Sequence, residues 1–314
     1  MLHSKDWLML AVAFGSMAAG VFLPDLAAPF RPLPVYCMMA LLFLGFISLD
    51  PRQAALDIRR ELSYVMYLTF LKLVGLPAVV YLLFWYVLPR YALAALLLTG
   101  ISSGMVTVFF SQLLGANTPQ VLSLLVASSV LAPLTLPALV KLLAGQAMTV
   151  SYTSMAGLLA LIIFTPLAAA ELIKRFSLRL TRAIESRKYS LSLVIFACTN
   201  LGIFSEYSSF FRQEPRLVWS ALLVAVFLGV FYFIAAALLV RRRPLEDHLA
   251  ALLGFGMTNF VLALVFGARF FTPLEPTVAA LYSIPAFGLL VPINVYRSLG
   301  LRKRSTAAPS ESEI

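Results

Sequence analysis

Residues 104–116 read GMVTVFFSQLLGA and residues 256–268 read GMTNFVLALVFGA, with a Gly-Met pair and a Gly-Ala pair at the same spacing in both. At this offset of 152 positions the agreement continues downstream without a gap, Val126-Ala127 meeting Val278-Ala279 and Pro133 meeting Pro285. Upstream, LGFIS (44–48) answers LGIFS (201–205) at an offset of 157, so a length difference of five residues lies between. The two halves of the chain read as copies of one unit.

The chain around these segments is apolar. Hydrophobic residues make up 61% of the 314 and charged residues 12%, about half of the roughly 25% expected of a soluble domain. A helix that crosses a bilayer needs about 20 mostly apolar residues. Ten stretches read as crossings: 7–23, 34–49, 63–88, 91–114, 118–143, 152–173, 189–205, 216–240, 249–268 and 274–296. An all-α membrane protein with ten transmembrane helices is the prediction. Five helices fall in each copy, and an odd number of crossings turns the second copy upside down relative to the first. Inverted repeats of this kind build many secondary transporters. Residues 1–150 form the first repeat (helices 1–5), 151–300 the second (helices 6–10), and LRKRSTAAPSESEI (301–314) reads as a polar, disordered cytoplasmic tail. The opening stretch reads as a retained first helix rather than a leader, because nine further crossings follow it.

The formal net charge of +10 reads as an orientation signal, not as a surface for nucleic acid. With a cytoplasmic N-terminus, the inner side carries Lys5, Arg52, Arg59, Arg60, the run KRFSLRLTRAIESRK (174–188), Arg241, Arg242, Arg243, Arg297, Arg302, Lys303 and Arg304. The outer side carries fewer: Arg31, Arg90, Lys141, Arg212, Arg216 and Arg269. That asymmetry predicts a multi-pass protein of the plasma (cytoplasmic) membrane with both termini in the cytoplasm. Within the 174–188 run basic and apolar residues alternate, which suits the orientation signal and also contact with anionic lipid. The sequence has no Walker-type phosphate loop, Cys-x-x-Cys pair, HExxH or GxSxG motif. His3 and His248 lie near charged ends without metal-ligand spacing. Neither an enzyme, a cofactor nor a metal site is expected. Cys37 and Cys198, both in apolar stretches, read as free thiols.

LTGISSGMVT (98–107) interrupts an apolar run with two Gly, two Thr and two Ser, and LLGFGMTN (252–259) does the same in the second copy. Glycine loosens a helix, and freed backbone is tolerated at membrane depth only against protein or a water-filled cavity. Helices 4 and 9 are therefore expected to be broken, with Gly104, Met105, Gly256 and Met257 as hinges. Their free ends present N–H and C=O groups able to hold ions or polar substrates. Close packing between small residues is the plainer alternative.

Lys72 stands ten residues into the third stretch, about 15 Å along a helix and so near the bilayer centre. A lysine there costs at least roughly 2.5 to 3.5 kcal/mol unless it meets an anion, carbonyls or water. It is a candidate functional group, against the alternative of a stem that snorkels to the interface.

SSGMVTVFFSQLLGANTPQVLSLLVASSVLAPLTLPALVKLLAG (102–145) is similar to the fourth and fifth helices of the bile acid:sodium symporter (BASS) family, GFGMTN (254–259) resembles its ninth-helix signature, and VPINVYRSL (291–299) resembles the end of its tenth. The resemblance covers nearly the whole chain. It implies a panel of helices 1, 2, 6 and 7 and a core of helices 3–5 and 8–10, with the broken helices crossing near their breaks. Carried over one residue at a time, the family's sodium-site positions fall on poor ligands. The ninth-helix acidic residue falls on Gly254 and a later Gln on Thr258. The Ser-Asn pair falls on Thr107 and Val108, the fifth-helix hydroxyls on Val121 and Leu125, and the third-helix Gln on Lys72. Most hard oxygen donors have gone and a fixed cation has appeared.

The resemblance then implies that the Lys72 ammonium takes the place of a sodium ion and donates to carbonyls at the broken-helix ends, with Thr107 and Thr258 at the other ion-site positions. A lysine that releases its proton would instead couple transport to protons. Asn259, Asn294 and Ser103 are candidates for the crossing or substrate site; ordinary interhelical hydrogen bonds are the alternative. The expected protein is a secondary active transporter of a small organic solute, an organic anion by resemblance, working by alternating access in a lipid bilayer. Its coupling ion is a proton or sodium, or Lys72 makes it sodium-independent. An auxin-efflux-like carrier and a non-transporting membrane receptor or scaffold are the alternatives.

Overall fold

The computed structural model describes residues 4–49, 51–145 and 150–307. Its first part carries α1 (Ser4–Phe22), α2 (Pro24–Ala27), a 3-10 turn (Ala28–Phe30), α3 (Pro34–Phe46), α4 (Pro51–Arg60), α5 (Leu62–Phe70), a π-helical segment (Leu71–Gly75), α6 (Leu76–Val87), α7 (Pro89–Thr99), α8 (Val106–Leu114) and α9 (Thr118–Leu143). The second part carries α10 (Tyr152–Phe176), α11 (Leu178–Glu206), α12 (Ser208–Gln213), α13 (Pro215–Leu239), α14 (Leu245–Gly256), α15 (Phe260–Phe270), α16 (Leu274–Leu281), α17 (Ser283–Gly288) and α18 (Leu290–Ala307). Among the described residues there is no strand, only an isolated antiparallel bridge between Ser103 and Thr258. The starts follow local chemistry. Proline opens α3, α7 and α13, where its missing N–H has no partner to lose. Side-chain oxygens of Asn117, Ser151, Ser177 and Asn259 cap α9, α10, α11 and α15.

Among the described residues, six helices are long and apolar enough to cross a membrane: Leu62–Val87, Thr118–Leu143, Tyr152–Phe176, Leu178–Glu206, Pro215–Leu239 and Leu274–Leu299. Counting the pair Pro24–Phe30 and Pro34–Phe46, bent by 62°, as one crossing gives seven. The shortfall from the ten expected has a physical cause. The stretches 91–114 and 249–268 each fold as two helices of 9 to 12 residues, too short singly for the roughly 20 that a crossing requires. The stretch 7–23 falls on α1, a helix of 19 residues whose first side chains lie outside the described residues. α18 continues through Ala307, into the stretch 301–314 read as a tail, of which 308–314 lie outside the described residues.

Packing sorts the helices into two sets. α1 packs on α11, and α3 on α10 and α11. α5 to α9 and α13 to α18 pack among themselves, and the sets meet through α9 against α10 and α3 against α15. Within a bilayer, where lipid is as apolar as leucine, small residues permit the close approach that holds helices together. Buried Ala92, Ala94 and Ala95 of α7 and Ala279 and Ala280 of α16 fit that rule at a helix pair that touches.

Candidate functional site

α7 stops at Thr99 and α14 at Gly256, and the short segments that follow run antiparallel across each other. Gly104 N–H donates to Met257 O (2.7 Å) and Asn259 N–H donates to Ser102 O (2.9 Å). Ser103 Oγ donates to Gly254 O (2.7 Å), and Ser103 N–H donates to Ser128 Oγ on α9 (3.2 Å). Backbone groups released by one break are thus paired by the other, as a dry interior requires. Glycine is needed at 104 for the approach itself: a Cβ there would lie 3.0 Å from both Met257 O and Thr258 O. Met105 turns the other way, and its Sδ fills the place a Cβ on Gly45 of α3 would take.

Of the two halves that resume after the breaks, α15 starts with a side-chain cap and α8 without one. Asn259 Oδ1 accepts from Leu262 N–H (3.2 Å) at the start of α15. In the first turn of α8, Thr107 Oγ1 donates to Gly104 O (2.6 Å).

The carbonyl ends of the halves that stop carry side-chain donors. Tyr232 of α13 donates its hydroxyl to Thr99 O (3.1 Å), and Tyr282 donates to Gly256 O (2.6 Å). Lys72 Nζ donates to Phe255 O (3.2 Å) and stands 5.0 Å from the centroid of the Tyr232 ring. A helix C-terminus carries partial negative charge, so an ammonium and two hydroxyl donors are electrostatically suited to it. Lys72 is fully buried, 0% exposed, and among the described residues no carboxylate forms an ion pair with it. Its backbone is unusual too. Leu76 N–H donates to Leu71 O, five residues back. Pro77 follows, and a proline ring crowds the carbonyl four residues before it, which a widened turn relieves. The widened turn carries Lys72 at the side where α13 and α14 pack.

Of the residues singled out from sequence, Ser103, Gly104, Met257, Thr258 and Asn259 meet at the crossing, with Gly256 and Lys72 at the adjoining end of α14. Met105 faces α3, and Thr107 makes a hydrogen bond local to its own turn. Asn294 stands apart: it is exposed on α18, and among the described residues no hydrogen bond joins it to the crossing. Sequence reasoning missed Tyr232, Tyr282 and Ser128. The tyrosines sit in FYF and LYS within apolar runs, where a ring counts as one more apolar residue although its hydroxyl needs a partner once buried. It also missed the hydroxyls of Thr69, Ser102 and Ser123, which, like that of Thr258, are buried without a hydrogen-bond partner among the described residues.

Where the two helix sets meet beside the crossing, Phe14 and Met17 of α1 and Asn200 of α11 face Phe260 and Leu264 of α15 and Ser283 of α17 across a cavity of about 10 Å³. That volume admits about one water. Among the described residues no cluster of His, Cys, Asp or Glu is arranged to hold a metal ion. Cys37 and Cys198 are free and partly buried. Glu171 pairs with Lys174, which also donates to Leu49 O (2.7 Å).

An all-helical chain with long apolar helices, and with two interrupted helices interlocked at a buried polar centre, is a multi-pass membrane protein. The model of the sodium bile acid symporter family matches residues 35–214, more than half of the chain and including Lys72 and the first break. The chain belongs to the sodium bile acid symporter family, which sets it among membrane transporters of that type rather than among enzymes. No curated protein matches it.

Proposed function

We propose that the protein is a secondary active transporter that carries a small organic anion by alternating access and does so without sodium, Lys72 standing where a coupling sodium would sit. The observation that carries the reading is the buried Lys72 ammonium on Phe255 O, at the negative end of α14, with no carboxylate paired to it among the described residues. Sodium requires several hard oxygen donors and a compensating negative charge. At this helix end the Phe255 carbonyl is taken by the ammonium and the Gly256 carbonyl by Tyr282. Thr107 and Thr258 are the other coupling positions in this reading, and Ser103 and Asn259 the substrate contacts at the crossing. Asn294, away from the crossing, is assigned no contact with the solute in the state described.

The proposal includes ten crossings in two inverted repeats, with α7–α8 and α14–α15 as broken helices 4 and 9. Its support is that each apolar stretch coincides with one helix, one interrupted pair or one chain of short helices, and that the breaks meet antiparallel. α1, α3, α10 and α11 act as the panel and the other packed set as the core that moves against it. Both termini face the cytoplasm, on the strength of the basic residues concentrated on one side.

The test is the melting temperature of the purified protein in sodium chloride and in choline chloride at matched ionic strength, for the wild type and Lys72→Gln. A ligand that binds only the native state raises Tm by mass action. The wild type is expected to show no sodium response, and a rise in sodium would overturn sodium independence. In parallel, uptake of a bile acid and of smaller organic anions into proteoliposomes without sodium is expected for at least one solute. No uptake across the panel, with or without sodium, would favour a receptor or scaffold.

A further inference from the structure

The C-terminal end of α13 holds a second polar feature that the transport reading does not use. Three successive arginines, Arg241, Arg242 and Arg243, follow the 25-residue apolar helix after its cap residue Val240 and line an open cavity of about 260 Å³ together with Tyr64 and Leu238. The three play different parts. Arg243 is fixed as a wall: its guanidinium lies 4.0 Å from the Tyr64 ring centroid, and it faces Asp247 at 4.0 Å. Asp247 in turn accepts from Asn117 Nδ2 (2.8 Å). Arg241 and Arg242 are exposed, and among the described residues neither forms an ion pair.

An apolar track leads to this cavity. Leu223, Phe227, Val230, Ile234 and Leu238 are all exposed on α13 and recur every three or four residues, the spacing of one helix face. The track ends at Leu238, which is itself part of the cavity wall. Orientation in the membrane requires only that basic residues lie on one side. It does not require that they surround a cavity at the end of a lipid-facing stripe.

We propose that this cavity binds the phosphodiester headgroup of an anionic phospholipid, with Arg241 and Arg242 on the phosphate oxygens and an acyl chain along the Leu223–Leu238 face of α13. Guanidinium groups are suited to phosphate because two N–H groups can donate in parallel to two oxygens. Basic pockets between helices at a membrane surface recognise headgroups by the same chemistry.

The full-length protein, purified in a neutral detergent, tests this by its melting temperature with added phosphatidylglycerol, phosphatidylcholine of the same chains, or soluble glycerol 1-phosphate. Phosphatidylglycerol is expected to raise Tm above the phosphatidylcholine value, and Arg241→Gln with Arg242→Gln to abolish the difference. Arg90→Gln with Arg216→Gln, at exposed arginines elsewhere, is expected to keep it. An undiminished difference in the first double variant, or an equal loss in the second, overturns the site. A matching rise with glycerol 1-phosphate assigns it to free phosphate and overturns the lipid. Should the first double variant fail to fold, Arg241→Gln and Arg242→Gln taken singly are each expected to lose part of the difference, and no loss in either overturns the proposal.

Discussion

Asn259 holds two positions at once. Its Oδ1 caps α15 by accepting from Leu262 N–H, and its own N–H ties the second break to Ser102 O. Serine can make the same cap, whereas alanine cannot, at a cost of about 1 kcal/mol. Asn259→Ser is therefore expected to keep the wild-type Tm and Asn259→Ala to lower it. Uptake of the organic anions is expected to fall in both, because the amide that would meet the solute is gone from both. If Asn259→Ser transports like the wild type, the residue is a cap and nothing more. At this scale the sequence was most informative about Lys72, since a lone cation in an apolar stretch is conspicuous whatever it touches. Tyr232 and Tyr282 were invisible because a hydroxyl at the rim of an apolar ring does not disturb a hydropathy pattern.

Both breaks were legible as elements, because glycine and small hydroxyl residues clustered inside apolar runs weaken a helix locally and wherever the chain folds. Their inequality was not legible. A Cβ on Gly104 would press on two backbone oxygens at 3.0 Å, Met257 O held by the crossing bond from Gly104 N–H and Thr258 O held by Phe260 N–H. A Cβ on Gly256 would meet only Leu289 Cδ1, at 3.5 Å, within helical backbone where alanine is at home. Gly104→Ala is expected to lower stability by about 1 to 3 kcal/mol through overpacking, and Gly256→Ala to leave it nearly unchanged. Equal losses in Tm for the two variants would contradict this account of the crossing. The π-turn at Leu71–Gly75 is of the same kind. Pro77 announces a disturbance, but only the packed α13 and α14 make the widened turn the route by which Lys72 reaches Phe255.

For the whole molecule, the consequential contact is the one between the two helix sets. The seam at α1, α11 and α15 is closed to about one water in the state described, and Met105 seats against α3 at Gly45. Alternating access requires this seam to open first to one side and then to the other. In a background carrying Cys37→Ser and Cys198→Ser, Asn259→Cys is expected to react with a membrane-impermeant maleimide added to either side of sealed, uniformly oriented proteoliposomes. Labelling from a single side only would mark a static receptor-like molecule. That six helices among the described residues are long and apolar enough to cross alone is a whole-molecule result as well: an interrupted helix leaves backbone groups that only a packed neighbour can pair.

By itself the sequence determined that the chain lives in a bilayer, where its apolar stretches lie, which of them are interrupted and that one buried cation needs a partner. Each of these is a local property, set by the free energy of placing a residue in lipid or in a helix. The tertiary structure alone decided who the partners are. Lys72 and Phe255 lie 183 residues apart and Tyr232 and Thr99 133 apart, and no pattern within either segment encodes the meeting. A buried donor takes whichever acceptor the fold brings within reach, and that is settled only when all the helices have packed.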